Sequence, residues 1–444
     1  MPNILFRFNS RLTAALSVGI LSLACIGTFA QDTLITADNP SINYYGRFDF
    51  STPNAPRFNW SGSTIEFQVN SATTVGMELT DGAGYYDIEI DGKLQSPPVY
   101  AESWSSAKYT LATSLSSDSH VIHIIRRNEP YWAIAAFGGI HLSDGGKIIP
   151  LEKPTRKMEF CGDSWTAGYF IEDCSDQQAH TNTNKSWARL TSKAFNAQDV
   201  ILAESGIGLV KSLGGKTCLP EKYGGTFDTM GDASTPAWDF SAWIPDIVSI
   251  FLGINDNSSG ATDNEYITAV HSFVTAIRGN YPNTPILFIS YTDCMDQATE
   301  TAVTEETTSL GHKDVYFFKC KQQVNGCSWH PDTADAREIA DSVVTRIRQI
   351  TGWDTATVSL KQKEEKQHVQ QRLEATRISD HVFLFSTHSE PAGRHMLITR
   401  PDGKFVQRLP LDRLGQCKWN SSHLSEGVYI FGTQRTGWKR ILIK

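Results

Sequence analysis

Beyond residue 30 this sequence of 444 residues has no apolar run long enough to cross a bilayer as a helix, so it offers no candidate membrane span there. It also lacks excess positive charge. Forty Lys and Arg against 48 Asp and Glu give a formal net charge of -8, whereas a general nucleic-acid binder presents a basic face. No cysteine pair has the close spacing of a zinc knuckle, and neither a metal nor a cofactor is implied. With 40% hydrophobic and 11% aromatic residues the chain can bury cores, and its length predicts two or three domains.

The first thirty residues differ from the rest. Arg7 and Arg11 precede an almost uncharged apolar run over 12–27, and Thr28-Phe29-Ala30 offers small residues where a signal peptidase reads. The reading is a signal peptide over 1–30 and a secreted protein, extracellular or at the cell surface. An uncleaved anchor is disfavoured by the short run, and Ser22-Leu23-Ala24 is a poor lipobox ahead of Cys25. Export implies an oxidising compartment. Of eight cysteines, Cys25 lies in the leader, so 8 − 1 leaves seven, an odd number that cannot all pair within the chain. Cys320 and Cys327 flank a short loop and are the expected bridge; Cys161 reads as packing.

Residues 31–152 read as a β-sandwich. Ile65, Phe67 and Val69 alternate with polar residues, Tyr86, Ile88 and Ile90 do the same, and Asp91-Gly92 is a hairpin turn. Over 153–354 the pattern changes to short continuous apolar runs at 158–161, 200–203, 247–252, 286–290 and 315–318, as strands buried on both faces of a parallel sheet require. Between them Ile267, Val270, Val274 and Ile277 recur at helical spacing. Ala336, Ile339, Ala340, Val343 and Ile347 form one helical stripe after the candidate N-cap Asp332. The fold class is therefore α/β, with its site at the carboxyl ends of the strands. A charged segment over 355–378 reads as a linker, and 379–444 as a small β-rich domain.

The residues able to do chemistry follow the predicted strands. Gly162-Asp163-Ser164 puts a hydroxyl at a strand-to-loop turn, although a serine there can also simply cap a helix. Ser205-Gly206 follows the second strand, and Gly253-Ile254-Asn255-Asp256 the third, where the Asn255 amide could serve an oxyanion and the pair could equally be a turn. Trp329-His330-Pro331 precedes the last helix, with a histidine able to take a proton when neutral.

Those four blocks, in that order, resemble the SGNH (GDSL-type) hydrolases. With a β-sandwich in front and the Gly326-Cys327-x-Trp329-His330-Pro331 run, the chain is similar to carbohydrate esterase family 2. The resemblance implies a three-layer hydrolase domain behind an N-terminal jelly roll. It implies Ser164 as nucleophile, His330 as base, the backbone amides of Ser164 and Gly206 with the Asn255 side chain as oxyanion hole, and Trp329 in a sugar cleft. The implied activity is acetyl esterase action on plant cell-wall polysaccharide, acetylated xylan or glucomannan, often at a primary 6-hydroxyl. One departure stands out: Cys327 and Ser328 occupy the places two or three residues before the histidine where an acid usually sits. A Ser-His dyad, its imidazole held by a backbone carbonyl near 327 or 328, is the expectation, with a distant carboxylate such as Asp293 as the other possibility. The last residues, Gly427-Val428-Tyr429 and a basic, β-branched end, resemble C-terminal sorting domains of type IX secretion, implying a Gram-negative source and contact with secretion machinery; a plain carbohydrate- or protein-contacting sandwich is the other reading. Two other functions remain open. A lipase acting on acyl chains would need a large apolar groove, whereas Trp329, Trp238 and Trp243 suit sugars. A non-catalytic sugar-binding protein is favoured only by the missing acid.

Overall fold

The five apolar runs of the middle region form one parallel sheet. The computed structural model describes residues 32–355 except 103, 104, 144, 229–234, 292 and 321–323, and after that the strand residues between 374 and 443 together with 400 and 425. The expected signal peptide and the charged segment 361–372 lie outside the described residues. Among the described residues no helix is long and apolar enough to cross a membrane. The chain divides into two units, 1–356 and 357–444.

In the first unit two antiparallel sheets make the sandwich, with Ile65, Phe67, Val69, Ile88 and Ile124 in its core. The hairpin is where the Asp-Gly pair places it. Ile90 pairs with Lys93 across Asp91 and Gly92, both at positive φ, 52° and 73°, the backbone that a two-residue turn needs. The parallel sheet runs Ala197–Ala203, Arg156–Gly162, Ile247–Phe251, Ile286–Tyr291, Val315–Cys320 in spatial order. One face packs on helices Trp187–Ala194 and Thr333–Thr351 through Trp187, Ile339, Val343 and Ile347. The other packs on Asp263–Asn280 and Asp296–Thr308 through Val270, Phe273, Ile277, Ala298 and Ala302. This gives three layers, which is why these strands read as apolar throughout. Asp332 caps the last helix, accepting from the amides of Ala334 and Asp335 at 2.8 and 3.0 Å.

The sandwich is locked to the hydrolase domain by buried polar groups. Arg47, fully buried, donates to the carbonyls of Tyr223 and Gly225 at 2.5 and 2.7 Å. Asp87 accepts from Asn182 and Asn184, both at 3.0 Å. Such groups are costly to bury unless every partner is met, so they define one docking geometry rather than adding much net stability. Trp238 and Trp243, candidate sugar contacts by composition, serve packing here: Trp238 lies 5.1 Å from the Arg47 guanidinium, and Trp243 donates to Gln198 at 3.2 Å.

The second unit has a three-stranded sheet, beginning with Glu374–Ser379 inside the segment read as linker, and a four-stranded one. They close around Phe385, Ile398 and Trp419.

Candidate active site

The first parallel strand ends in a turn that only glycine permits. A Cβ on Gly162 would stand 2.0 Å from the Thr166 hydroxyl oxygen. The chain therefore turns directly into the short helix Ser164–Ala167, whose N-cap is Asp163: its carboxylate accepts from the Trp165 amide at 3.0 Å. Because the aspartate caps, the Ser164 hydroxyl is released from that duty. Burial pushes the Asp163 carboxyl up to about 7, with Asp256 and Glu129 adding to the rise and the Trp165 amide opposing it.

The Ser164 hydroxyl lies 2.7 Å from His330 Nε2. On the other side of the ring, Nδ1 lies 2.8 Å from the Ser328 carbonyl and 3.2 Å from that of Cys327. A carbonyl can only accept, so Nδ1 carries the proton and Nε2 presents its lone pair to the serine. No carboxylate touches the imidazole among the described residues, Asp293 included. Burial lowers the His330 pKa below its usual 6.5, and the two carbonyls only partly oppose it. If His330 serves as a base it must be neutral, and kcat/KM should then rise with pH through a midpoint below 6.5. An ascending midpoint at or above about 7 would mean a carboxylate partner in solution.

The turn carrying the histidine is strained and anchored. Ser328 and Trp329 are successive non-glycine residues at φ 51° and 65°, a left-handed backbone costing about 1–2 kcal/mol per residue. Gly326 is needed beneath them, since its Cβ would lie 2.4 Å from the His330 carbonyl oxygen. The anchor is a disulfide between Cys327 and Cys174, which corrects the expected Cys320–Cys327 bridge. Cys320 ends its strand buried in the core with Leu287 and Ile339, while Cys327 rides out on the turn to meet the loop after the helix Ser164–Ala167. Reduction, or Cys174→Ser, should lower kcat about ten- to a hundredfold, because a displacement of about 1 Å at a reacting group costs that much. Unchanged kcat after verified reduction would show that the turn holds itself.

Gly206 sits at φ 85° just after the second strand, on the same rim of the sheet. Among the described residues neither its amide nor that of Ser164 meets a protein acceptor. Asn255, in the first turn of Ile254–Ser258, is engaged differently from the expectation: its amide donates to the Ile207 carbonyl at 2.8 Å and to Asp163 at 3.3 Å. To serve an oxyanion it would give up the longer of these bonds. Asp256, which with Asn255 reads in isolation as part of a turn, builds the site. Its carboxylate accepts from the amides of Leu209, Val210 and Lys211 at 2.9, 2.7 and 2.9 Å, fixing the loop beyond Gly206. Trp329 is 86% exposed beside the histidine, free to offer its face. Tyr169, which no pattern in the sequence flagged, lies against the imidazole with ring centroids 4.7 Å apart.

Residues 44–151 match the carbohydrate esterase 2 N-terminal family, and 160–360 match the GDSL-like lipase/acylhydrolase family. The chain is 31% identical to cellulase/esterase CelE of Acetivibrio thermocellus over 71% of its own length, but spans only 40% of that protein. It is 27% identical to an acetylxylan esterase / glucomannan deacetylase of Cellvibrio japonicus, over 72% of this chain and 91% of that one. A solved family two carbohydrate esterase from Clostridium thermocellum, in complex with cellohexaose, superposes with a TM-score of 0.65 at 30% identity, covering 70% of this chain and 99% of that one.

Proposed function

Because the chain belongs to carbohydrate esterase family 2, we propose that it is a serine esterase removing acetyl groups from hemicellulose, acetylated xylan or glucomannan, through a Ser164–His330 dyad. The observation that carries this reading is the 2.7 Å contact between the two side chains, with carbonyls alone behind the imidazole among the described residues. Ser164 Oγ attacks the acetyl carbonyl carbon as His330 Nε2 takes its proton. The developing oxyanion meets the amides of Ser164 and Gly206, and the Asn255 side chain. Collapse expels the sugar oxygen, which receives the proton from His330, and leaves acetyl on Ser164. A water then gives a proton to His330 as its oxygen attacks the acetyl carbon; collapse breaks the bond to Ser164 Oγ, which takes that proton back from His330, and acetate leaves. Trp329 offers a flat apolar face to a pyranose ring. The relatives' names support xylan and glucomannan as substrates, and the family resemblance a preference for the 6-hydroxyl acetyl. Secretion rests on the first thirty residues alone.

The competing lipase reading separates on chain length. Acetyl should be cleaved faster than octanoyl from the matching nitrophenyl esters, because a longer chain gains about 0.8 kcal/mol per CH₂ only where a groove buries it and otherwise crowds the site. Equal or faster octanoyl cleavage would favour a lipase.

A further inference from the structure

Glu129 is a fully buried acid of the sandwich that the mechanism above does not use. It stands at the N-cap of the short turn Pro130–Trp132, yet its side chain makes no capping bond. Instead it crosses to the hydrolase domain, where the Ser205 amide donates to Oε2 and the Ser205 hydroxyl to Oε1 at 2.7 Å; the Tyr131 hydroxyl also donates to Oε1, at 3.2 Å.

The consequence lies in three successive peptide groups. The amide of Ser205 is held by Glu129. The next peptide, whose N–H belongs to Gly206, has its Ser205 carbonyl held by Lys216 Nζ at 2.8 Å. The one after has its Gly206 carbonyl held by the Leu213 amide at 2.8 Å. Lys216 is itself fixed by Glu204 at 2.8 Å and lies 5.3 Å from the Tyr131 ring, on the same cluster. With the peptides on either side pinned, the Gly206 N–H has one direction. We propose that Glu129 is a positioning residue for the Gly206 amide, so that the β-sandwich takes part in the chemical step through the oxyanion site; this rests on the esterase reading above. Burial pushes the Glu129 carboxyl up to about 7, the Ser205 donors and Lys216 opposing and Glu204 adding. An acceptor for the Ser205 N–H remains in either protonation state, so reach rather than charge is what the position requires.

The test measures kcat and KM for an acetyl ester in the full chain, with folding checked by the thermal unfolding midpoint. Glu129→Ala removes the acceptor and Glu129→Asp withdraws it by one methylene. Both should lower kcat about ten- to a hundredfold, short of the full loss of an oxyanion donor, with KM held within about twofold. Glu129→Gln keeps a carbonyl acceptor and should restore kcat to within about threefold. Should the alanine variant fail to fold, the Asp–Gln pair decides. Wild-type kcat in Glu129→Asp, a loss confined to KM, or a glutamine variant as impaired as the aspartate one would overturn the proposal. Ser164→Ala in the same assay separates the two levels: if it is inactive while Glu129→Asp is normal, only this inference falls, whereas an active Ser164→Ala removes the esterase reading itself.

Discussion

Ser164→Ala is expected to lower kcat for acetate release by about 10⁴- to 10⁶-fold, the range seen when a serine hydrolase loses its nucleophile. The hydroxyl has no structural task to confuse the result. Asp163 performs the capping at this helix, and Ser164 is bonded through Oγ to His330. Alanine is also the better helix former, so the helix Ser164–Ala167 should keep its shape and the unfolding midpoint should be unchanged. Acetate assayed from acetylated xylan measures the loss. A variant retaining a tenth of wild-type turnover would show that some other group, or a water, attacks the ester.

His330→Ala should be nearly as severe, and the Ser164→Ala/His330→Ala pair no worse than either alone. Nucleophile and base act as one unit: without the imidazole the serine keeps its proton, and without the serine the imidazole has nothing to deprotonate. The size of the histidine effect also reports on the missing acid. In a triad a carboxylate selects the tautomer; here the Ser328 carbonyl at 2.8 Å and the Cys327 carbonyl at 3.2 Å do so. Carbonyls supply direction without a full negative charge, so they stabilise the imidazolium less than a carboxylate would. Additive losses in the double variant, multiplying rather than coinciding, would mean that the two side chains act independently and that the contact between them is incidental.

The meeting of Ser164 with His330 was legible because local chemistry and strand order agree. A glycine that tolerates no Cβ, a serine after the first apolar run and a histidine ahead of a capped helix are each tied to backbone that their neighbours impose. The two-sided burial of the strands was legible for the same reason: it leaves a continuous apolar run rather than an alternating one. The Cys174–Cys327 bridge was not, since its partners are 153 residues apart and Cys320 is nearer along the chain. Chain proximity says nothing about which loops meet above a sheet. Asp256 could be read as a turn because an Asp after Asn is a frequent turn residue, whereas its three amide donors come from residues 209–211, more than forty positions earlier. Glu129 carries no pattern at all, and its importance follows only from the docking of one domain on another. Trp238 and Trp243 show the converse failure: composition offers aromatics for sugar, and the fold uses them against Arg47 and Gln198.

The covalent step can be observed directly. The full chain, mixed with excess nitrophenyl acetate, acid-quenched during turnover and digested, should yield one acetyl group on the peptide containing Ser164, and none from His330→Ala treated alike. Active enzyme with no acetyl on that peptide at any quench time, or with acetyl at another residue, would contradict the account.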